Sequence, residues 1–200
     1  MGMIKPAVFL DRDGTVNEQM GYINHESRFH LLPGAAGAIK KLNDAGVPVV
    51  IVTNQSGIAR GYFPENLLDR VHEIMNEKLA AEGAHVDAIY ICPHHPEARQ
   101  KKYRRDCNCR KPKTGLFIQA AEEMELDLPN SYVVGDRWSD LESAKNCKAA
   151  GILVLTGYGR GELEYAGEVK DTQPAFVAED LGAAVNWILQ DMDRKVINQI

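Results

Sequence analysis

The sequence predicts a three-layer α/β fold, a parallel sheet held between helices, from three observations. Short apolar runs without polar alternation recur along the chain, each suited to a strand buried on both faces. Between them lie segments whose apolar residues recur at helical spacing, so strands and helices alternate as right-handed crossovers require. Polar and glycine residues gather just after the apolar runs, at the carboxyl ends where open parallel sheets bind ligands.

Ala7-Val8-Phe9-Leu10 is the first strand. Residues 17–27 are polar and read as a loop over the mouth of the site. Pro33-Gly34 opens a helix whose apolar stripe is Ala35, Ala38, Ile39 and Leu42, and Gly46 suits its C-terminal cap. Residues 47–52 form the second strand. Pro64 suits the first turn of a helix that Leu67, Leu68, Val71, Ile74, Met75 and Leu79 carry to Gly83. Residues 88–91 are the third strand, followed by a loop rich in Cys, His and basic residues up to Pro112. Residues 114–126 are helical by pattern, with Leu116, Phe117, Ala120, Ala121 and Met124 facing inward. Tyr132-Val133-Val134-Gly135 is the fourth strand, 141–149 a helix and 152–155 the fifth strand. Residues 158–172 read as a surface loop, Phe176-Val177 as a short sixth strand, and 181–192 as a closing helix. With no repeat, low-complexity tract or linker, the expectation is one domain over residues 1–200.

Two hundred residues suffice to bury roughly two thirds of the unfolded surface. The net charge of −5 argues against general affinity for nucleic acids or membranes. No apolar run approaches the roughly 18 residues of a membrane span. Met1-Gly2 invites a myristoylation reading, but Pro6 stands where Ser or Thr is wanted. A monomeric cytoplasmic enzyme is expected, with a small-molecule substrate and neither nucleic-acid nor membrane partner.

The first strand runs into Asp11-Arg12-Asp13-Gly14-Thr15. Paired carboxylates at the end of a buried strand are costly unless a cation compensates them. Mg²⁺ is suited, since it prefers carboxylate, phosphate and water oxygens. An Asx-rich turn would place the same residues there for local backbone reasons. Three further strand ends carry chemistry. Thr53-Asn54-Gln55-Ser56-Gly57 offers neutral donors for a phosphoryl group. Arg110-Lys111-Pro112 supplies a lysine able to neutralise phosphate and keep a carboxylate ionised. Gly135-Asp136-Arg137-Trp138-Ser139-Asp140 supplies a second carboxylate for the metal, with Asp140 one helical turn on to support it.

Together these four segments, in this order, resemble the complete motif set of the haloacid dehalogenase-like phosphatases, and the resemblance runs from about Ala7 to Leu155. It implies a Rossmann-like fold and nucleophilic catalysis through an aspartyl-phosphate. Asp11 would be the nucleophile, and Asp13 the general acid and then base. Mg²⁺ would be held by Asp11, Asp136 and the backbone carbonyl of Asp13. Thr53 and Lys111 would stabilise the phosphoryl oxygens. No inserted cap domain fits between the motifs, so the site should be open.

Cys92, Cys107 and Cys109 lie within eighteen residues and His94-His95 beside them. Three thiolates and one imidazole suit a closed tetrahedral Zn²⁺ site, and the family pattern favours His94 over His95. A structural zinc would order the loop 92–109, which has no core of its own, and so anchor Lys111. The same loop carries Arg99, Lys101, Lys102, Arg104 and Arg105, either a solvated face or an attraction for a polyanion. Arg110 is the residue expected to fork onto phosphate. Cys147 reads as a small core residue.

Within this family the zinc loop is similar to two groups, the heptose bisphosphate phosphatases and the histidinol-phosphate phosphatases. Ser56 and the long basic insert favour the first, whose substrate is a sugar bisphosphate of glycan biosynthesis. A nucleic-acid 3′-end phosphatase is the third reading, weakened by the acidic net charge. By the same resemblance Gln19, Gly21, Tyr22, Thr53, Asn54, Gln55, Ser56, Arg110, Lys111 and Arg137 would line the substrate site. Gln19-Met20 and Arg137 depart from the residues usual there.

Overall fold

The computed structural model describes residues 4–166 and 171–197. Met1-Gly2, considered above for lipidation, lies outside the described residues. Six strands form one all-parallel sheet: β1 (Val8–Leu10), β2 (Val49–Asn54), β3 (Ala88–Cys92), β4 (Tyr132–Gly135), β5 (Ala150–Val154) and β6 (Phe176–Ala178). Their order across the sheet is β3-β2-β1-β4-β5-β6. The chain leaves β1 toward β2 and β3 on one side, then returns to β4 on the other. The switch of direction therefore falls between β1 and β4, where the strand-end loops diverge and leave a crevice.

The helices are α1 (Ala35–Asp44), α2 (Gly57–Arg60), α3 (Glu65–Ala81), α4 (Gly115–Met124), α5 (Trp138–Cys147), α6 (Gly159–Ala166) and α7 (Leu181–Ile197). The apolar strands divide their side chains between two layers, because successive residues of a strand point to opposite faces. Val8, Leu10, Val49, Ile51, Tyr132 and Val134 pack on one face with Ile39 and Leu42 of α1, Val71 and Met75 of α3, and Val185 and Ile188 of α7. Phe9, Val50, Val52 and Val133 pack on the other with Leu116, Phe117 and Ala120 of α4 and Ala144 and Cys147 of α5. The Phe9 and Phe117 rings meet edge to face at 5.3 Å.

The predicted elements stand, with shifted bounds. Residues 158–172 depart from the expected loop: α6 occupies Gly159–Ala166, while 167–170 lie outside the described residues. This helix is held by tertiary contacts rather than by a strong apolar stripe. Its Glu162 accepts a hydrogen bond from the Trp138 backbone N–H at 3.2 Å, over the start of α5. Helix α5 itself begins at Trp138, three residues before the predicted start, because Asp140 accepts the Arg137 N–H and closes the first turn. Helix α7 continues to Ile197 beyond the predicted 192. Among the described residues no large cap covers the strand ends.

Candidate active site and cysteine cluster

The carboxyl ends of β1, β2 and β4, with the segment entering α4, bound a cleft of about 390 Å³. Asp11 follows β1 directly, its backbone N–H bonded to Val134 O of β4 at 2.9 Å. That pairing fixes the first aspartate at the switch point. Lys111 reaches in from the other side: Nζ donates to Asp11 Oδ1 at 2.7 Å and to Val52 O at 2.8 Å, and lies 2.6 Å from Asp140 Oδ1. The backbone of Lys111 is tied to β2, since Asn54 Oδ1 accepts its N–H and Asn54 Nδ2 donates to its carbonyl.

Asp136 is fully buried, between Gly14 and Gly157. A Cβ at either glycine would run into its carboxylate, and both glycines take positive φ, so this approach requires glycine. Asp136 Oδ2 accepts the Tyr158 N–H at 2.8 Å, while Oδ1 is buried with no hydrogen-bond partner. Burial pushes Asp136 up to about 8, with the Asp11 charge adding to it. Burial likewise pushes Asp11 up to about 6 against the opposing pull of Lys111. Carboxylate oxygens of Asp11, Asp136 and Asp140 lie within 4.8 Å of one another. An all-oxygen donor set with an orphaned buried oxygen suits a hard divalent cation such as Mg²⁺.

The Asp13 side chain points elsewhere. It accepts hydrogen bonds from Arg12, Asn17 Nδ2 and Gln55 Nε2 at 2.8–3.2 Å. Burial works to raise its pKa, but the Arg12 charge and these donors outweigh it and hold Asp13 below the usual range. Arg12 is itself buried, with its Nη1 at 3.0 Å from His72 Nε2. Gln19 Nε2 donates to the Asp13 carbonyl at 3.2 Å, which leaves that oxygen a second lone pair.

Of the sequence-predicted residues, Asp11, Asp13, Gln19, Gly21, Tyr22 and Thr53 line the cleft, as do Asn54, Ser56, Arg110, Lys111 and Arg137. Gln55 does not line it: its amide is spent on Asp13 and on Thr53 Oγ1 at 3.0 Å. Arg60, Ser139, Asp140 and Tyr158 also line it. Tyr158 had no predicted role. It follows Thr156-Gly157 at the end of β5, so the strand-end rule that found the other segments also covers it. The Arg137 guanidinium lies over the Tyr158 ring, 4.1 Å from its centroid. Arg60 lies in the run from Thr53 to Gly61 but has no role assigned from sequence, and the packing of α2 places it at the cleft.

Cys92 ends β3, and the loop after it brings His94, Cys107 and Cys109 back to it. The four ligand atoms lie within 4.8 Å of one another. Cys109 Sγ is 3.2 Å from Cys92 Sγ and 3.1 Å from Cys107 Sγ, and His94 Nδ1 is 3.2 Å from Cys109 Sγ. A zinc tetrahedron with Zn–S near 2.3 Å has edges of about 3.8 Å, so this set closes on an ion with small adjustments. Burial raises the Cys92 thiol well above its ordinary value, a penalty that a bound cation removes by holding the thiolate. His95 points away from the cluster, its Nε2 facing Arg60 at 2.9 Å. A satellite core of Ile58, Ala59, Phe63, Leu68, Ala98 and Tyr103 joins the loop to α2 and α3.

Residues 108–184 match a family model described as "HAD-hyrolase-like". The D-glycero-D-manno-heptose-1,7-bisphosphate 7-phosphatase of Thermosynechococcus vestitus is 44% identical over 190 residues, 93% of this chain and 96% of that one. The D-glycero-beta-D-manno-heptose-1,7-bisphosphate 7-phosphatase of Haemophilus ducreyi is 46% identical over 157 residues, 78% of this chain and 86% of its own. Among solved structures, the D,D-heptose 1,7-bisphosphate phosphatase from B. bronchiseptica, complexed with magnesium and phosphate, superposes with a TM-score of 0.82. It is 37% identical and the match covers 93% of this chain and 99% of that one.

Proposed function

The chain belongs to the D-glycero-D-manno-heptose-1,7-bisphosphate 7-phosphatases of the haloacid dehalogenase-like hydrolases, and from that premise we propose that it removes the C7 phosphate of the heptose bisphosphate and leaves the C1 phosphate in place. The observation that carries this reading is Asp11, a carboxylate on the cleft held 2.7 Å from Lys111 Nζ at the switch point of the sheet.

Asp11 attacks phosphorus in line with the C7 oxygen and becomes an aspartyl-phosphate. Lys111 favours the ionised nucleophile and faces the charge that builds on the phosphoryl oxygens. Thr53 adds a neutral donor to the same oxygens. Asp13 protonates the leaving oxygen and then takes a proton from the water that hydrolyses the aspartyl-phosphate. These two halves ask opposite things of it. Its Arg12, Asn17 and Gln55 cradle favours the carboxylate that the second half needs, and a phosphate dianion beside it favours the acid that the first half needs. Asp11, Asp136 and the Asp13 carbonyl would hold Mg²⁺, which supplies neutralisation of the charge shared by carboxylates and phosphate. Cys92, His94, Cys107 and Cys109 would hold a structural Zn²⁺.

The product keeps the phosphate needed for nucleotide activation, which fits a place in lipopolysaccharide-core or surface-layer glycan synthesis. A cytoplasmic location is supported by four free cysteines, three of them in a cluster that needs them reduced. Among the described residues no helix is long and apolar enough to cross a membrane. A monomer is proposed, with the cleft built from one chain.

The test is Mg²⁺-dependent phosphate release from both anomers of heptose 1,7-bisphosphate and from histidinol phosphate, with Asp11→Asn as the blank. Preferred release from a heptose bisphosphate, lost in the variant, is expected. Preference for histidinol phosphate would overturn the substrate, and turnover by Asp11→Asn would overturn the covalent step.

A further inference from the structure

Arginine is the side chain that the cleft has in excess. Arg60, Arg110 and Arg137 all line it, and none has a carboxylate within ion-pair distance among the described residues. Arg137 is covered by the Tyr158 ring. Arg60 and Arg110 instead converge on adjacent residues of the cysteine loop. Arg60 Nη2 lies 2.9 Å from His95 Nε2, and Arg110 Nη1 donates to the His94 carbonyl at 3.3 Å. Two guanidiniums gathered at one place with no carboxylate paired to either repel each other, and an anion between them relieves this.

Arg60 is also short of acceptors. Its Nε is buried and unpartnered, the one side-chain nitrogen so placed among the described residues. Its remaining contact is contested, because the Glu97 N–H points at the other ring nitrogen of His95 at 3.2 Å. A neutral imidazole has a single acceptor nitrogen, so it cannot serve both donors. The position is nevertheless firmly set. Ile58 and Ala59 of α2 are packed in the satellite core, and Ala59 O accepts the Gln100 N–H at 3.0 Å. A Cβ at Gly57 would run into the Phe63 and Tyr22 rings, so α2 sits as close as glycine permits.

We propose that Arg60 is a specificity-determining residue that, beside Arg110, grips the phosphate that is not cleaved. The inference rests on the bisphosphatase reading above and assigns to Arg60 the discrimination of bisphosphate from monophosphate. A planar fork with an unpaired Nε–H is suited to phosphate oxygens, and seating them there supplies the missing acceptors.

The experiment compares wild type, Arg60→Ala and Arg60→Lys on heptose 1,7-bisphosphate and on heptose 7-phosphate, which lacks the second phosphate. Arg60→Ala is expected to lower kcat/KM on the bisphosphate by about 10- to 100-fold, the size of a lost charge-assisted hydrogen bond. On the monophosphate the change stays within about twofold, and Arg60→Lys recovers part of the loss. Melting temperature and zinc content report the fold, and if Arg60→Ala does not fold, the two-substrate ratio of Arg60→Lys decides. Equal losses on both substrates, or no loss on the bisphosphate, overturn the assignment of Arg60 while leaving the function intact. Failure of the wild type itself to release phosphate from the bisphosphate overturns the function, and this inference with it.

Discussion

Lys111 donates to Asp11 and the Val52 carbonyl, and its ammonium forms an ion pair with Asp140. Among the described residues it is the cation paired with both Asp11 and Asp140, so removing it leaves like charges without their partner. Lys111→Ala should cost about 3–5 kcal/mol of stability, as breaking a buried ion pair does, and abolish turnover. Urea denaturation beside a phosphate-release assay checks both effects. Lys111→Arg should not restore activity, because a planar fork does not fit a pocket shaped for an ammonium. The Tyr158 ring lies against the Arg137 guanidinium. Tyr158→Ala frees the Arg137 guanidinium and should raise KM by about 2- to 30-fold, the worth of a cation–π contact, whereas Tyr158→Phe should match wild type. A KM for Tyr158→Phe as poor as that of Tyr158→Ala would show that the hydroxyl matters instead.

At the scale of elements, the cysteine loop and α7 each carry polar contacts beside their packing. The loop contributes Ala98 and Tyr103 to the satellite core, and the Tyr103 hydroxyl donates to Glu65 of α3. The four-ligand cluster ties the two ends of the loop together. Chelating zinc, or Cys107→Ser, should open the loop to trypsin at its Lys101, Lys102, Arg104 and Arg105 run and slow turnover, because Lys111 follows only two residues after Cys109. Gel mapping of the cleavage sites checks this. Helix α7 is fixed to the sheet by the buried Tyr132, whose hydroxyl donates to Asp191 Oδ2 at 2.8 Å and accepts from Lys195 Nζ at 3.1 Å. Burial would raise Asp191, but the Tyr132 hydroxyl and Lys195 outweigh it and lower its pKa. A carboxylate lowered by folding adds stability above its unfolded pKa and loses it as pH falls through the folded one. Asp191→Asn should therefore cost about 0.5–1.5 kcal/mol at neutral pH, and its difference from wild type should fade as the pH is taken below 4.

The whole molecule carries a stability cost placed at one point. Strand order brings the ends of β1 and β4 together, and with them Asp11 and Asp136, two carboxylates raised by burial. Mg²⁺ should relieve that cost. At about 100 times its Kd, a cation bound only to the native state adds about 2.7 kcal/mol, a rise in Tm of about 5–10 °C for a chain of this size. Asp136→Asn should melt above the metal-free wild type, lose the response to Mg²⁺ and lose activity. A calorimetric scan with and without the cation checks all of it, and an unchanged Mg²⁺ response in the variant would place the metal elsewhere.

The sequence by itself determined the alternation of elements and most of the candidate site. Short uninterrupted apolar runs that alternate with helical patterns suit doubly buried strands, and strands of a parallel sheet end on one edge. Residues just after those runs, Asp11, Thr53 and Asp136, therefore had to gather, and three cysteines so closely spaced with His94 had one chemical use in common. Local pattern could not carry α6, which is held over α5 through Glu162 and Trp138, contacts 24 residues apart in sequence. Nor could it place the side chains that turn away from the cleft. The sequence suggests Gln55 as a substrate donor, and its amide bonds to Asp13 and Thr53; it assigns Arg60 no role, and Arg60 lines the cleft with Arg110. Which way a polar side chain points depends on the acceptors that other strands and loops bring to it, and only the tertiary structure decided that.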